Sequence, residues 1–599
     1  MKRRSIFRAH FLQHKWNYLL GTLLLSISLV LQLGVPLLLE DFTDGLQHLS
    51  IRAEDLMSLA AWFIILGIGI FIFRSSGRIY IFRLSRMLER DLRTKLFAHW
   101  ETLPAEYYQQ QRIGNLMAHA VNDVNILRQI GMQGVFQTIE AVVLLSLTIL
   151  MMGGTINLQL TLLVLLPLPG LTYLAYRFRS NIRMHSSKVQ EAIGTLTSRV
   201  QEFCTGIRVI KTYVQENEEM KKFTKENNEN VQANKQLIRS NSLFTSLSQG
   251  IIGLSYLLSI LFGSILVMKG TITLGEFVAF NTYLSFLVAP IENLGKVINL
   301  FQQGAAADVR LSQVLSTVPD IKDEKGVIPI HSIEGTIRIE NLSFHYKDSE
   351  HNALQHISLT IPKGKSLGIV GKIGSGKSTF VNLLLRLYNP PRNTIFIDNI
   401  DILDLPLKKL RTSIGYVPQN NFLFSTTIKE NIAFDPIDYE DNQVYKAAKQ
   451  AHVYNDIIDF PESFKTTLGE RGLSLSGGQR QRVSIARAMI KESPIMIFDD
   501  SLSAVDANTE QEILTTLQTE MKGRTTIIIS HRLSTIKMAD QIIVLDEGEI
   551  AEQGTHQSLL KKNGLYKTMF VQQSNQIDLE GTNLPSYIER TIRIKKRRS

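Results

Sequence analysis

The sequence predicts a chain in two parts: an all-α membrane domain of six spans, followed by a cytoplasmic α/β domain built around a phosphate-binding P-loop. Three observations predict it. Long charge-free apolar runs fill the first half and stop after Phe301. A buried-strand pattern, Ser366-Leu367-Gly368-Ile369-Val370, leads directly into Gly371-Lys372-Ile373-Gly374-Ser375-Gly376-Lys377-Ser378. The composition joins 44% apolar to only 20% charged residues over 599 positions, too long for one compact core and too poorly charged for a soluble protein with formal net charge +10.

The basic excess sits at the tails (Lys2, Arg3 and Arg4; Lys595, Lys596, Arg597 and Arg598) and beside the apolar runs. That is the flanking expected of a membrane protein, not a nucleic-acid partner. The single cysteine, Cys204, excludes an intrachain disulfide, a cysteine zinc site and a CxxC redox pair, and reads as an ordinary small residue.

The first run, Leu19 to Leu39, is too long for a signal-peptide core and lacks a small-residue cleavage site, so it reads as a retained span. Further runs are Leu56 to Phe73, Ala141 to Tyr176, Ser240 to Met268 and Phe277 to Ile291. The run from Ala141 holds two spans, each needing about 20 residues, if Met152 to Asn157 turns. Six crossings follow. Lys2, Arg3, Arg4, Arg8 and Lys15 precede the first span, and Glu40, Asp41, Asp44, Glu54 and Asp55 follow it, which places the N-terminus in the cytoplasm. Residues 74–140 and 177–239 are long, charged and poor in Gly and Pro, so they extend the spans as helices towards the cytoplasmic domain.

Three acids lie in or near spans: Glu140, Glu276 and Glu292. Desolvation makes such groups candidates for function, with Glu140 or Glu292 attracting cationic substrates. The alternative is a place near a helix end or a pairing with Lys296 or an arginine. Pro290 is expected to loosen the sixth span locally.

In the P-loop, glycines let backbone N–H groups approach phosphate, and the following helix, Thr379 to Leu387, adds its positive dipole end. Lys377 is expected at the β- and γ-phosphates and Ser378 on Mg²⁺. A second apolar strand, Pro494 to Phe498, ends in Asp499, a Walker-B carboxylate for Mg²⁺. Between them stands Leu475-Ser476-Gly477-Gly478-Gln479.

With that pentapeptide the chain resembles the ABC transporter ATPases, and most closely bacterial multidrug-type half-exporters, from Lys15 to about Gln573. The resemblance implies a six-helix exporter domain in residues 1–305, a linker in 306–335, a RecA-like ATP-binding cassette with a helical subdomain in 336–574, and a basic tail in 575–599. It implies ATP and Mg²⁺ as cofactors, bound by Gly371, Gly374, Ser375, Gly376, Lys377, Ser378 and Thr379. Ser476, Gly477, Gly478 and Gln479 clasp nucleotide held by another cassette. Tyr346 matches the aromatic that stacks on adenine, Gln419 the Mg²⁺-sensing catalytic loop, and Glu470 the exporter-specific loop. Asp506 matches the loop crossing between cassettes and His531 the switch histidine. Pro104 to Arg112 and Thr205 to Glu216 resemble coupling helices.

One position departs from the family. Its active members carry Glu after the Walker-B Asp, whereas this chain has Asp500. One methylene withdraws the carboxylate by about 1–1.5 Å, and misplacement on that scale costs on the order of 10²-fold in rate. The resemblance therefore implies a plasma-membrane exporter of amphipathic drugs or lipids, paired with a second half-transporter that supplies the missing Glu. A homodimeric lipid or peptide flippase and a regulatory ATP-binding subunit are the alternatives.

Overall fold

The computed structural model describes residues 6–581 except 49–51, 324–325, 348, 436, 470–471, 473–474, 502–506 and 521; the side chains of 53, 294, 507–511, 520 and 574–581 are also undescribed. Two compact units result, Met1–Glu101 with Arg112–Thr317, and Thr102–Gln111 with Val318 onward.

Among the described residues, six helices of the first unit are long and apolar enough to cross a membrane: α1 (Lys15–Gln47), α2 (Glu54–Thr102), α4 (Ile113–Ile156), α5 (Leu158–Thr212), α6 (Glu216–Met268) and α7 (Leu274–Leu315), with the short α3 (Ala105–Gln110) between α2 and α4. Of the turn foreseen at Met152–Asn157, residues 152–156 stay helical as the end of α4, and the break comes at Asn157, whose side chain accepts the Leu160 N–H and starts α5. Such a cap satisfies a backbone donor that lipid cannot. The unit's core joins Leu33, Met152, Val164, Phe280, Tyr283 and Leu287. In α2, Trp62, Ile64, Ile65 and Phe71 are exposed, an apolar surface suited to lipid and not to water. Pro290 lies inside α7, which continues through it to Leu315, past residue 305.

The long charged stretches are helical, yet the two suspected coupling segments differ. Pro104 opens α3, a separate six-residue helix that belongs to the second unit. Thr205 onward is the end of α5 followed by the turn Tyr213–Gln215, in which Val214 has φ 52°, so this segment makes no short helix of its own.

In the second unit, an antiparallel sheet has the order β2-β1-β4-β5, with β1 (Ile337–Phe344), β2 (Leu354–Ile361), β4 (Ile395–Ile397) and β5 (Ile400–Asp401). A six-stranded sheet has the order β10-β9-β3-β8-β7-β6, from β3 (Ser366–Gly371), β6 (Ile414–Val417), β7 (Ile495–Asp499), β8 (Thr525–Ile529), β9 (Gln541–Asp546) and β10 (Glu549–Gly554). All its pairs are parallel except β9–β10. Parallel strands are covered on both faces, which explains why every residue of β7 and β8 is buried. A helical subdomain packs α9 (Ile428–Ile432), α10 (Asp441–Gln450) and α11 (Tyr454–Ile458) around α12 (Gly477–Met489) through Val444, Ala447, Ile457, Val483 and Ile485. The last helix, α13 (Leu565–Gly581), includes the first residues assigned to the basic tail; the rest of that tail lies outside the described residues.

Candidate nucleotide site

The parallel register brings the predicted residues to one sheet edge. Gly371 pairs with Leu545, Asp499 with Ile529 and Val417 with Phe498, so β3, β6, β7, β8 and β9 all end there. The carboxyl edge of such a sheet is where ligands bind, because loops and helix N-termini converge on it.

Gly374 and Gly376 have φ of 86° and 97°, the left-handed region that a side chain strains. A Cβ on Gly376 would stand 2.5 Å from the Ala353 carbonyl oxygen. We expect Gly376→Ala to destabilise the domain by about 1–3 kcal/mol and to abolish nucleotide binding, measured by thermal melting with and without ATP. Lys377 opens α8 (Lys377–Leu384) and is buried; its Nζ donates to the carbonyls of Gly371 (2.8 Å) and Lys372 (2.6 Å). Burial pulls its pKa down, opposed by the carboxylates of Asp499 and Asp500.

Asp499 is buried at the end of β7. Burial and the neighbouring Asp500 hold its carboxyl above the usual range, while Lys377, a hydrogen bond from Tyr416 and His531 pull the other way. Asp500 has φ 47°, and its N–H donates to the Ile529 carbonyl at 2.8 Å. His531 follows β8, is exposed, and points its N–H at Asp500 Oδ1 across 3.4 Å. Gln419, beyond β6, is exposed at the same edge. Tyr346 follows β1, and its hydroxyl lies 3.0 Å from Thr379 in the first turn of α8.

Ser476 caps α12: its Oγ accepts the Gln479 N–H at 3.2 Å, and Gln479 Oε1 accepts the Ser476 N–H at 3.0 Å. Ser476 and Gly477 are exposed, so the positive end of this thirteen-residue helix faces outward. Glu470 and Asp506 lie outside the described residues.

A family model for the ABC transporter transmembrane region matches residues 18–291, and one for the ABC transporter domain matches 354–503. A Bacillus subtilis protein named as a probable multidrug resistance ABC transporter ATP-binding/permease protein is 37% identical over 95% of this chain and 96% of its own length. The chain belongs to the ABC transporter family. An ATP-dependent lipid A-core flippase of Syntrophus aciditrophicus is 35% identical over 80% of this chain and 79% of its own. A solved bacterial Atm1-family ABC exporter with ATP bound matches with TM-score 0.76 and 28% identity, covering 94% of this chain and 98% of that one. The transporter is thus a multi-pass membrane protein of the half-exporter type, whose cassette binds ATP and hydrolyses it to drive transport.

Four side chains of the transporter escaped sequence reasoning. Tyr416 bonds Asp499 from the neighbouring strand. Tyr388 donates to Gln109 of α3 at 2.9 Å and stands edge-on to Tyr346, with ring centroids 5.1 Å apart. Arg487 of α12 reaches the Phe422 carbonyl (3.0 Å) and the Asn431 carbonyl (2.7 Å), joining the loop after Gln419 to the helix of Ser476; burial lowers its pKa to about 10. Gln573 contacts the His531 loop. Only an aromatic cluster around Tyr346 and Tyr388 had a sequence signal, since both sit at element ends.

Two of the three acids near the spans take structural places. Glu140 pairs with Arg74 at 2.9 Å, and Glu276 completes a capping box with Thr273 at the start of α7. Glu292 is exposed, and Lys296 donates to Asn293. We therefore expect Glu140→Gln to leave the ratio of cationic to neutral substrate export unchanged in vesicle uptake assays, while lowering the melting temperature by loss of the Arg74 pair.

Proposed function

We propose that this transporter is one half of a heterodimeric exporter of amphipathic drugs or lipids, and that its own phosphate site binds ATP but turns it over slowly. The observation that carries the reading is Asp500 at the position where a longer carboxylate orients the attacking water. Lys377 would hold the β- and γ-phosphates against the P-loop N–H groups, and Tyr346 would face the adenine beside Thr379.

The oxygen donors Ser378, Gln419 and Asp499 suit a hard divalent cation, and Asp499 at the foot of the P-loop, beside Lys377 and Tyr416, fits Mg²⁺. When bound, Mg²⁺ neutralises charge on the phosphate oxygens. The chain's own residues do the rest: Lys377 orients the phosphates, Asp500 faces the attacking water at too long a reach, and His531 approaches the γ-phosphate.

The exposed N-terminus of α12 would clasp nucleotide bound to the second half-transporter, whose Glu completes a competent site there; Asp506 would cross between the cassettes. Closure of two cassettes around ATP is proposed to pass through α3 and the turn at Tyr213–Gln215 to the spans, opening the cavity outward. The positive flank of the first span supports a cytoplasmic N-terminus and cassette in a plasma-membrane protein.

Purified alone, the transporter should hydrolyse ATP slowly, and reconstituted with a mate bearing a Walker-B Asp-Glu pair it should hydrolyse and export quickly. Strong activity of the chain alone would overturn the heterodimer and favour a homodimeric lipid flippase, the reading supported by the flippase named among its relatives.

A further inference from the structure

The described residues place Gln573, which no motif assigns, against the loop that carries His531. Its Nε2 donates to the His531 carbonyl at 2.5 Å, and its Oε1 accepts the Leu533 N–H at 2.9 Å. One primary amide thus grips the loop on both sides of Arg532. Only one orientation of that amide satisfies both backbone groups, so the contact is directional as well as attractive.

The platform beneath Gln573 is firm. Tyr566, Phe570 and Gln573 follow the spacing i, i+4, i+7 and share one face of α13. Tyr566 is fully buried and bonds His556 at 2.8 Å, and the His556 ring also meets Phe570, with centroids 5.4 Å apart. The Glu552 carboxylate accepts the Leu565 N–H at 2.5 Å and so fixes the start of the helix. Two aromatic anchors therefore hold α13 while the third position on that face, an amide where an apolar residue would pack equally well, reads the loop.

On the β8 side, Ser530 Oγ accepts the Arg532 N–H at 3.0 Å, while the exposed His531 meets Asp500 Oδ1 with its N–H at 3.4 Å. We propose that Gln573 is a positioning residue for ATP hydrolysis: through its two backbone hydrogen bonds, α13 sets where His531 stands. The inference rests on the switch role given to His531 above. It makes the C-terminal helix a control on turnover, since any movement of α13 is passed to the histidine without touching the P-loop.

The test uses the full-length transporter without a mate, so that the turnover read is that of the site holding His531. Gln573→Met keeps the length and packing of the side chain and removes both hydrogen bonds. It should lower kcat for ATP roughly five- to tenfold, with the KM for ATP and the melting temperature unchanged, because a displaced catalytic group affects the chemical step and not ground-state binding. In the His531→Ala background the same substitution should have no further effect. Equal losses in both backgrounds, or unchanged kcat in Gln573→Met, would overturn the proposal. A His531→Ala protein as fast as the unsubstituted one would instead refute the histidine's role, and the positioning inference would fall with it.

Discussion

Asp500→Glu is expected to raise the ATPase rate of the isolated transporter by about 10²-fold. The backbone at residue 500 is fixed independently of its side chain, by the N–H bond to the Ile529 carbonyl at 2.8 Å and by the strand end at Asp499. Lengthening the side chain therefore moves the carboxylate and little else, by about 1–1.5 Å. As Asp, it leans towards the His531 N–H. As Glu, it would reach beyond the sheet edge towards the place of the attacking water. The left-handed φ of 47° is milder for Asp than for Glu, so a small loss of stability should accompany the gain. Steady-state phosphate release at saturating ATP measures the effect, and the KM should stay within about twofold, because the phosphates are held by Lys377 and the P-loop. A change of less than threefold would mean that the short carboxylate does not limit this site, and the argument for a heterodimer would lose its support.

The parts of this transporter that sequence displays are those in which a single segment carries its own physical reason. Six spans were readable because lipid demands uninterrupted apolar length, and the break between the third and fourth was readable to within six residues, at the end of which Asn157 caps the next helix. The P-loop, Asp499 and the Ser476 cap were readable for the same reason: strand, glycine turn and helix start follow one another in the chain. What was not readable depends on partners far apart in sequence. Which arginine pairs with Glu140, the Tyr388–Gln109 bond and the Gln573 contacts depend on segments whose patterns say nothing about each other. The end of α7 shows a subtler case. Apolar density falls after Phe301, yet Ala307, Leu311 and Val314 keep the i, i+4, i+7 spacing and are buried, so periodicity outlasts hydrophobicity and the helix runs to Leu315.

Lys377→Ala should reduce ATP affinity at this site on the order of 10²-fold and, combined with the matching change in the mate, bring export to background. The Lys377 ammonium is buried among the Gly371 and Lys372 carbonyls and faces Asp499 and Asp500. It is the cation that offsets two carboxylates at the place where triphosphate must enter. Removing it costs charge-assisted hydrogen bonds worth about 1.5–3 kcal/mol each and leaves the phosphates to meet uncompensated negative charge. About 3 kcal/mol corresponds to roughly two decades in affinity. Burial lowers the Lys377 pKa, and the two carboxylates oppose that shift. Titration calorimetry with ATP reads the affinity, and dye efflux from proteoliposomes reads transport. Gly374 and Gly376 keep the loop shape without the lysine, so the Ala variant should remain folded, and its loss of binding would report the charge itself. Undiminished ATP binding and efflux in the doubly substituted protein would mean that this P-loop does not power the membrane domain.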